Sequence, residues 1–336
     1  MQIGIIGLGR MGANMARRLM RAGHPCVVYD ANPEAVAALA EEGAIPASSP
    51  ADLAAELVPH RVLWLMVPAA SVDDTLAALI PHLARGDVVV EGGNSHFADD
   101  PRRERDLANH GVFYLDAGVS GGVWGLERGY CLMIGGDADA AKRLEPIFRA
   151  LAPGRDAAAP TPGRDEGTST ADEGFLHCGP SGAGHFVKMV HNAIEYGAMA
   201  AMAEGFNLLR HGGAGAEGRA ADAETAPLAH AARYRYEFAV GEIAELWRRG
   251  SVISSWLLDL TARALGKDPS LAGFSGRVSD AGEGRWALQA AVETGTPAPV
   301  LAAALFERFA SRGEDAFALK LLSALRREFG GHHERT

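Results

Sequence analysis

A glycine-rich turn near the start of the chain constrains the fold more than any other feature of the sequence. Between an apolar stretch, Gln2–Ile6, and a helical pattern, Met11–Arg21, lies the run Gly7-Leu8-Gly9-Arg10-Met11-Gly12. Glycines at this spacing allow a tight turn, a close approach of the backbone to a ligand, and close packing of a helix on a strand. The segment is therefore predicted to be a strand, a turn and a helix whose N-terminus offers N–H groups to an anion.

Short apolar stretches alternate with helical patterns through the first half of the chain. Buried strands are predicted at Gln2–Ile6, Cys26–Tyr29, Val62–Val67, Asp87–Glu91 and Val112–Asp116, with a further one at Cys131–Ile134. The helical patterns between and after them are Met11–Arg21, Pro33–Glu41, Ser71–Leu83, Pro101–Asn109 and Ala138–Leu151. This order is typical of βαβ units in a Rossmann-like, doubly wound parallel sheet.

The second half of the chain has helical periodicity and little strand signal. One long helix is predicted at Gly182–Arg210, and others at Arg233–Leu265, Gly284–Glu293, Pro297–Ser311 and Glu314–Phe329. We therefore expect an α/β domain over residues 1–175, an all-α C-terminal domain over 176–325 and a tail over 326–336. Two Gly- and Ala-rich segments, 153–174 and 211–226, are interpreted as surface insertions.

An acidic residue, Asp30, ends the second predicted strand, where a carboxylate typically accepts hydrogen bonds from the ribose hydroxyls of NAD. Together with the glycine run it predicts NAD as the cofactor. The alternative is an ordinary turn at the glycines and a helix cap at Asp30, before Ala31-Asn32-Pro33. The candidate cofactor-binding residues are Gly7, Leu8, Gly9, Arg10, Met11, Gly12, Asp30, Val67, Pro68 and Asn94.

Charge and composition exclude several classes of function. A net charge of −10 argues against non-specific binding to nucleic acid or to an acidic membrane surface. The 3 cysteines lie far apart without a CxxC pair, which predicts reduced thiols and a cytoplasmic protein. There is no secretory signal, no apolar stretch long enough to span a membrane, and no His, Cys, Asp or Glu spacing that predicts a metal site.

Four polar residues fall on one face of the long predicted helix at about 100° per residue: Lys188, His191, Asn192 and Glu195. The apolar residues that flank them, Phe186, Val187, Met189 and Val190, predict burial on several sides. Burial suits a lysine to act as a general base and a glutamate to act as an acid. The alternative is a solvent-facing stripe with a salt-bridged lysine.

Several runs of sequence together carry a resemblance to a known family. They are Gly7–Gly12, Glu91-Gly92-Gly93-Asn94-Ser95, Gly118–Gly122, Gly179–Tyr196, Gly284-Arg285-Trp286, Phe306-Glu307-Arg308 and the C-terminal run 326–332. With them the chain resembles the 6-phosphogluconate dehydrogenase family, within the β-hydroxyacid dehydrogenase group. The resemblance implies oxidative decarboxylation of 6-phosphogluconate to ribulose 5-phosphate with reduction of NAD, in the pentose phosphate pathway and in gluconate utilisation.

The resemblance also implies roles for individual residues. Lys188 corresponds to the base and Glu195 to the acid, with His191 and Asn192 beside them. The substrate-binding set is Asn94, Ser120, Gly121, Gly122, His191, Asn192, Tyr196, Arg285, Arg308, Arg326 and His332. Tyr196 and the arginines correspond to phosphate ligands, and Arg326 and His332 would enter the site of a partner subunit, which requires a homodimer or a higher homo-oligomer. Individually, Asn94 and Ser120 could be turn formers, the arginines solvated surface residues, and the tail a frayed helix end.

The chain also departs from the family pattern. Arg285 stands where many members have Lys, and Glu91 stands where Asp is commoner. The chain is also shorter than the long form of the family and has one helical unit where the long form has two. Asp30 replaces the Asn-Arg-Thr type of sequence that accepts the 2′-phosphate of NADP. Two other functions stay open: a non-decarboxylating β-hydroxyacid dehydrogenase, acting on 3-hydroxyisobutyrate or tartronate semialdehyde, and an NAD-binding protein without turnover.

Overall fold

The computed structural model describes residues 1–165, 167–216 and 225–331. The chain forms two compact units, residues 1–191 and 192–336, and each is described by itself. The three segments predicted from the sequence, 1–175, 176–325 and 326–336, stay a prediction.

The first unit is built on an eight-stranded sheet. Its strands are β1 (Ile3–Ile6), β2 (Cys26–Tyr29), β3 (Ile45–Pro46), β4 (Val62–Leu65), β5 (Val88–Glu91), β6 (Phe113–Ser120), β7 (Cys131–Gly136) and β8 (Phe175–Gly179). Their spatial order is β3-β2-β1-β4-β5-β6-β7-β8. All neighbours are parallel except β6 and β7, which are antiparallel.

Helices cover both faces of this sheet. They are α1 (Arg10–Arg21), α2 (Pro33–Glu41), α3 (Pro50–Glu56), α4 (Val72–Leu79), α5 (Asp100–Ala108), α6 (Gly125–Arg128), α7 (Ala138–Arg143) and α8 (Glu145–Leu151). Alternate residues of one strand enter two separate cores: Trp64 packs with Met15 of α1, whereas Leu63 packs with Leu53 of α3. Because both faces are buried, the strands are continuous apolar runs, and the predicted doubly wound α/β fold is confirmed.

The sequence did not predict the two edge strands or the reversal at β7. The strand β3 has only two residues and includes Pro46, which lacks the N–H needed on the inner side of a sheet. The strand β8 falls next to the segment interpreted as an insertion. In that insertion the structure has short 3₁₀ turns at Arg155–Ala157 and Thr170–Glu173.

Among the described residues of the second unit, all regular secondary structure is helical. It contains most of α9 (Ala183–Arg210), then α10 (Val240–Arg248), α11 (Trp256–Lys267), α12 (Glu283–Glu293), α13 (Pro299–Ala310) and α14 (Ala316–Gly330). The prediction of one helix at Arg233–Leu265 is wrong, because the structure has two helices, α10 and α11, joined by a non-helical segment. The Ser255 hydroxyl accepts the Leu258 N–H at 3.2 Å and starts the second helix.

Two small apolar clusters stabilise this unit. One joins α9, α10 and α11 around Phe206, Ala244 and Leu258. The other joins α9 and α13 around Tyr196 and Leu305. The segment 211–226 lies partly outside the described residues. Within the described ranges, no helix combines the length and apolar character needed to cross a bilayer.

Candidate active site

The glycine-rich turn joins β1 to α1 at the carboxyl end of the sheet. Gly7 has a φ of +92°, and its N–H donates to the Tyr29 carbonyl oxygen at 2.9 Å. A Cβ at Gly7 would lie 2.6 Å from the Met66 carbonyl oxygen, and a Cβ at Gly12 would overlap the Gly7 carbonyl oxygen. Side chains are therefore excluded at both positions by the packing of the turn itself.

Gly9 differs from these two glycines because its side-chain direction is open. A Cβ at Gly9 would have no heavy atom within 4 Å among the described residues. The helix α1 begins at the next residue, with no side-chain cap and no acidic residue in its first turn. The N–H groups of that turn and the positive end of the helix dipole therefore suit an anion such as a pyrophosphate. A cavity of about 380 Å³ lies here, lined by Leu8, Gly9, Arg10, Ala13, Asn14, Arg17 and Val123.

Asp30 fixes the turn from the end of β2. Its Oδ2 accepts the Leu8 N–H at 2.5 Å, and its Oδ1 accepts the Asn32 N–H at 2.7 Å. The cap of α2 is Asn32, which accepts the Glu34 N–H at 3.0 Å, so Asp30 is not the helix cap. Each carboxylate oxygen has a second lone pair for a ribose hydroxyl. The turn, the helix start and Asp30 therefore fit a nicotinamide dinucleotide.

Three further predicted residues follow the ends of two neighbouring strands, β4 and β5. The Val67 Cγ1 would lie 3.1 Å from a Cβ at Gly7, and Pro68 is exposed at the start of a 3₁₀ turn. Asn94 is exposed after β5. In open α/β sheets, ligands bind outside the carboxyl ends of the strands where the strand order reverses, here between β1 and β4.

The carboxyl end of β6 carries the next group of predicted residues. Ser120 ends the strand, and Gly121 and Gly122 follow with φ values of +153° and +54°. The Ser120 Oγ lies 3.3 Å from His191 Nε2, in hydrogen-bond contact. The structure thus brings together two residues that are 71 positions apart and that the sequence assigned to the substrate.

The start of α9 is held by a buried carboxylate from the same strand. The Asp116 Oδ1 accepts the Gly182 N–H at 2.7 Å, and its Oδ2 accepts the His185 N–H at 2.8 Å. Burial raises the pKa of Asp116, while these N–H groups favour its charged form. Asp116 therefore provides the helix cap that no neighbouring residue supplies.

Glycines let α9 lie directly on β6. A Cβ at Gly118 would overlap the Lys188 Cβ and lie 2.9 Å from the Gly184 carbonyl oxygen. Lys188 is consequently half-buried, near the end of β6 that carries Ser120. The close contact directs the polar face of the helix inward.

The apolar flanks predicted to bury Lys188 lie elsewhere. Phe186, Val187 and Val190 are 37%, 41% and 36% exposed, and Met189 is the flanking residue that is buried. The expectation of burial by these flanks is wrong for three of the four. The reason is the orientation of α9, which turns its polar stripe toward β6.

A cluster of buried charges lies behind this helix start. Glu91, Asp100 and His185 place ligand atoms within 4.8 Å of one another, a geometry that can hold a metal ion. However, the Arg103 guanidinium lies 3.6 Å from Glu91 and 3.8 Å from Asp100, and it already supplies positive charge. We describe the group as an ion-pair cluster, and the absence of a required metal stays a prediction. Sequence reasoning gave none of these residues a role, because they come together only through the fold.

In the second unit, a buried glutamate joins two predicted substrate residues. Asn192 Nδ2 donates to Glu283 Oε1 at 3.1 Å, and the Tyr196 hydroxyl donates to Glu283 Oε2 at 3.3 Å. Glu283 begins α12 and is 5% exposed. This role of Glu283 is not apparent from the sequence, although the residue directly precedes the marker Gly284-Arg285-Trp286. A glutamate in the first turn of a helix is ordinarily explained by the helix dipole alone.

Arginines gather around Tyr196. The Arg308 guanidinium carbon lies 3.5 Å from the centroid of the Tyr196 ring, and Nη1 donates to the Ser279 carbonyl oxygen at 2.7 Å. Arg285 forms a two-point ion pair with Asp280, at 2.7 and 3.2 Å, and Arg312 binds the same carboxylate at 2.7 Å. Hydrogen bonds from Arg285 and Arg312 lower the pKa of Asp280 to about 2. Arg285, Arg308 and Arg312 thus form a local cluster of positive charge in a chain whose net charge is −10.

Three predicted residues remain: Glu195, Arg326 and His332. Glu195 and Arg326 are both half-buried, on α9 and α14 respectively. His332 lies outside the described residues. Their assigned roles stay predictions.

Comparison with known proteins agrees with this geometry. Residues 2–159 match the family model of the NAD binding domain of 6-phosphogluconate dehydrogenase, and residues 184–222 match that of the 6-phosphogluconate dehydrogenase C-terminal domain. A Haloferax volcanii protein described as an NAD(+)-dependent, decarboxylating 6-phosphogluconate dehydrogenase is 42% identical over 99% of this chain and 98% of its own length.

Solved structures give the same fold. The 6-phosphogluconate dehydrogenase of Plasmodium falciparum is 25% identical with a TM-score of 0.73, over 98% of this chain but 65% of that longer chain. A 3-hydroxyisobutyrate dehydrogenase of Salmonella typhimurium is 23% identical with a TM-score of 0.68, over 93% of this chain and 94% of its own. The second likeness concerns the fold alone. On the family models and the full-length sequence identity, the chain belongs to the 6-phosphogluconate dehydrogenase family.

Proposed function

We propose that this protein oxidises and decarboxylates 6-phosphogluconate to ribulose 5-phosphate and carbon dioxide, with NAD as the hydride acceptor. One observation carries the proposal: Ser120, Lys188 and His191 converge at the carboxyl end of β6. The hydrogen-bond contact between Ser120 and His191 and the packing of Lys188 on Gly118 support it. The relative from Haloferax volcanii, described as NAD(+)-dependent and decarboxylating, supports the same reaction.

In this proposal Lys188 accepts the proton of the substrate 3-hydroxyl. When bound, the nicotinamide supplies the acceptor for the hydride of carbon 3. Protonated Lys188 then polarises the new carbonyl at carbon 3. The bond between the carboxylate carbon and carbon 2 breaks, its electrons move toward this carbonyl, and carbon dioxide leaves. Glu195 donates a proton to carbon 1 of the resulting enediol, and ribulose 5-phosphate forms. Proton transfer by a positioned side chain typically contributes about 10²–10⁴ in rate.

The remaining substrate contacts are proposed on charge and hydrogen-bonding grounds. Asn94, Ser120, Gly122, His191 and Asn192 would hold the carboxylate and hydroxyls. Glu283 would orient Asn192 and Tyr196, since it accepts a hydrogen bond from each.

The phosphate would bind among the arginines near Tyr196. Arg308 stacks on the ring of Tyr196, and the planar guanidinium suits a phosphate. Arg285 would have to exchange its ion pair with Asp280 for one with the phosphate, because Asp280 now holds it at two points. Arg326 and His332 of a partner subunit would complete the phosphate end.

We propose NAD over NADP because of Asp30. A 2′-phosphate would stand beside a carboxylate that already shapes the glycine turn. Two unit charges about 4 Å apart repel by roughly 1 kcal/mol in water and about 4 kcal/mol at an effective dielectric of 20. We expect kcat/KM to favour NAD by at least about tenfold, which corresponds to about 1.4 kcal/mol.

A homodimer completes the proposal. The helix α14 exposes Phe317, Leu321, Leu322, Leu325 and Phe329, and none of its residues is buried. An apolar surface of this kind is typical of a subunit interface.

Mixing a Lys188→Ala chain with an Arg326→Ala chain should restore activity, because one site in each mixed dimer has both groups. No recovery while the subunits demonstrably exchange would contradict a shared site.

The deciding experiment measures NADH and NADPH formation with 6-phosphogluconate and 3-hydroxyisobutyrate, and NADH and NADPH consumption with tartronate semialdehyde. We expect NADH and carbon dioxide in equal amounts from 6-phosphogluconate. Turnover of either other compound without carbon dioxide would identify a non-decarboxylating dehydrogenase. Binding of NAD without turnover of any of them would indicate a non-catalytic protein.

A further inference from the structure

We propose that Glu91 and His185 are positioning residues that hold the turn bearing Asn94 and the helix turn bearing Lys188 in a fixed relation. The inference deepens the proposed function and rests on it for the roles of Asn94 and Lys188. It concerns the ion-pair cluster of Glu91, Asp100, Arg103 and His185, together with Asp116, which caps the same helix.

One side of the cluster shapes the Asn94 turn. Glu91 is the last residue of β5 and is fully buried. Its Oε1 accepts the Gly93 N–H at 2.7 Å. A Cβ at Gly93 would lie 2.6 Å from this same oxygen, so the turn closes directly over the carboxylate. The position of Asn94 therefore depends on where Glu91 holds the preceding glycine.

The other side of the cluster fixes the start of α9. His185 Nδ1 lies 2.8 Å from Asp100 Oδ2, and its backbone N–H donates to Asp116 Oδ2 at 2.8 Å. Asp100 is itself held by the Tyr114 hydroxyl at 2.8 Å. His185 is three residues before Lys188, so its side chain and its backbone both set the turn from which the lysine extends.

Glu91 joins the two sides. Its Oε2 lies 3.6 Å from His185 Nε2 and 3.6 Å from Arg103 Nη1. The Arg103 side chain is only 4% exposed and also faces Asp100 and Asp73. Two carboxylates, those of Glu91 and Asp100, thus share a buried space with one guanidinium and one imidazole. A neutral side chain at position 91 removes the charge that His185 Nε2 and Arg103 Nη1 both face, so we expect these two groups to move.

A buried ion-pair cluster seldom stabilises a fold more than apolar packing of equal volume does. Hydrogen bonds fix the geometry within each side of the cluster, whereas the 3.6 Å contacts of Glu91 Oε2 with His185 and Arg103 join the two sides by charge. A displacement of about 1 Å at a reacting group can lower a rate about 10²-fold. The cluster therefore predicts a kinetic effect in an enzyme that is still folded.

The chain offers a matched control on the same strand. Asp87 precedes β5 at its other end and is also fully buried. It accepts the Arg61 and Ala84 N–H groups at 2.7 and 2.8 Å and forms an ion pair with Arg61 at 3.1 Å. Asp87→Asn and Glu91→Gln therefore each remove one buried carboxylate charge, at opposite ends of β5.

The test compares these variants at a temperature where circular dichroism shows all of them folded. We expect Glu91→Gln to lower kcat with 6-phosphogluconate at least about tenfold, and Asp87→Asn to change it less than about twofold. Glu91→Asp keeps the charge on a shorter side chain and should recover part of the loss. Equal kcat for Glu91→Gln and Asp87→Asn would overturn the inference.

Hydrogen–deuterium exchange provides a readout that does not need turnover. We expect Glu91→Gln to speed exchange in both segments, residues 92–97 and 183–191, and Asp87→Asn to leave both unchanged. Faster exchange in one segment alone, or equally in both variants, would show that Glu91 does not couple them. If the wild-type protein fails to oxidise 6-phosphogluconate, the proposed function falls, and the exchange data alone decide whether the coupling exists.

Discussion

The buried imidazole of His185 should make the stability of the protein depend on pH. Burial alone would lower the pKa of His185, but the hydrogen bond with Asp100 and the charges of Glu91 and Asp116 together raise it to about 9. In the unfolded chain the same group titrates near its ordinary value of 6.5. A pKa that is higher in the folded state means that protonation favours folding, so the stabilisation is complete below about pH 6.5.

The size of the effect follows from the two pKa values. Their difference is about 9 minus 6.5, and each unit corresponds to 1.36 kcal/mol, which gives about 3 kcal/mol. The free energy of unfolding should fall by this order as the pH rises from about 6.5 to about 9. Arg103 faces the same carboxylates and stays charged throughout, so it contributes no slope in this window.

The assay is urea unfolding followed by circular dichroism between about pH 6 and about pH 9. The double variant His185→Gln/Asp100→Asn removes the imidazole and its hydrogen-bonding carboxylate together, so neither is left as an unbalanced charge. We expect a clear decline in the wild-type protein and a nearly flat profile in the double variant. Parallel profiles for the two proteins would refute the reasoning, because the slope would then arise elsewhere.

Three further substitutions test the assigned roles. Lys188→Ala should lower kcat about 10²–10⁴-fold and leave NAD binding by fluorescence titration nearly unchanged; half the wild-type kcat at every pH would remove the lysine from the chemistry. Glu195→Gln should lose most of the steady-state rate, measured as NADH and carbon dioxide, and normal turnover would exclude Glu195 as the acid. Gly9→Val should raise the KM for NAD and lower the melting temperature only slightly, whereas Gly12→Val should lower the melting temperature strongly, since of these two glycines only Gly12 lies against backbone; equal melting temperatures would contradict this distinction.

The features that the sequence predicted correctly are local ones. The turn at Gly7–Gly12 and the long helix α9 each depend on residues a few positions apart, and spacing reports such geometry directly. The break between α10 and α11 also had a local signal, because Ser255 stands at the cap position of the second helix. The apolar periodicity nevertheless continues across Ser255, and a continuous periodicity predicts a single helix.

The features that the sequence did not predict depend on distant residues. Asp116 caps α9 from 66 and 69 positions away, and Glu283 meets Asn192 across 91 positions. No periodicity relates such pairs. The same limit explains the orientation of α9. The apolar residues that flank Lys188 predict burial on several sides, but the absence of a side chain at Gly118 lets the Lys188 face pack on the sheet.

The inward polar face of α9 links the fold to the proposed chemistry. A helix that buried Phe186, Val187 and Val190 would turn Lys188 toward water, where a lysine is a poor base at neutral pH. Gly118 and Gly184 have no side chains that would separate the helix from β6. Asp116 accepts hydrogen bonds from the N–H groups at the start of α9 and so fixes the position of its first turn. The cost is an apolar stripe left exposed on the single chain. In the proposed homodimer, contact with a second subunit would cover that stripe, so the geometry that fits the proposed role of Lys188 would also favour the proposed association.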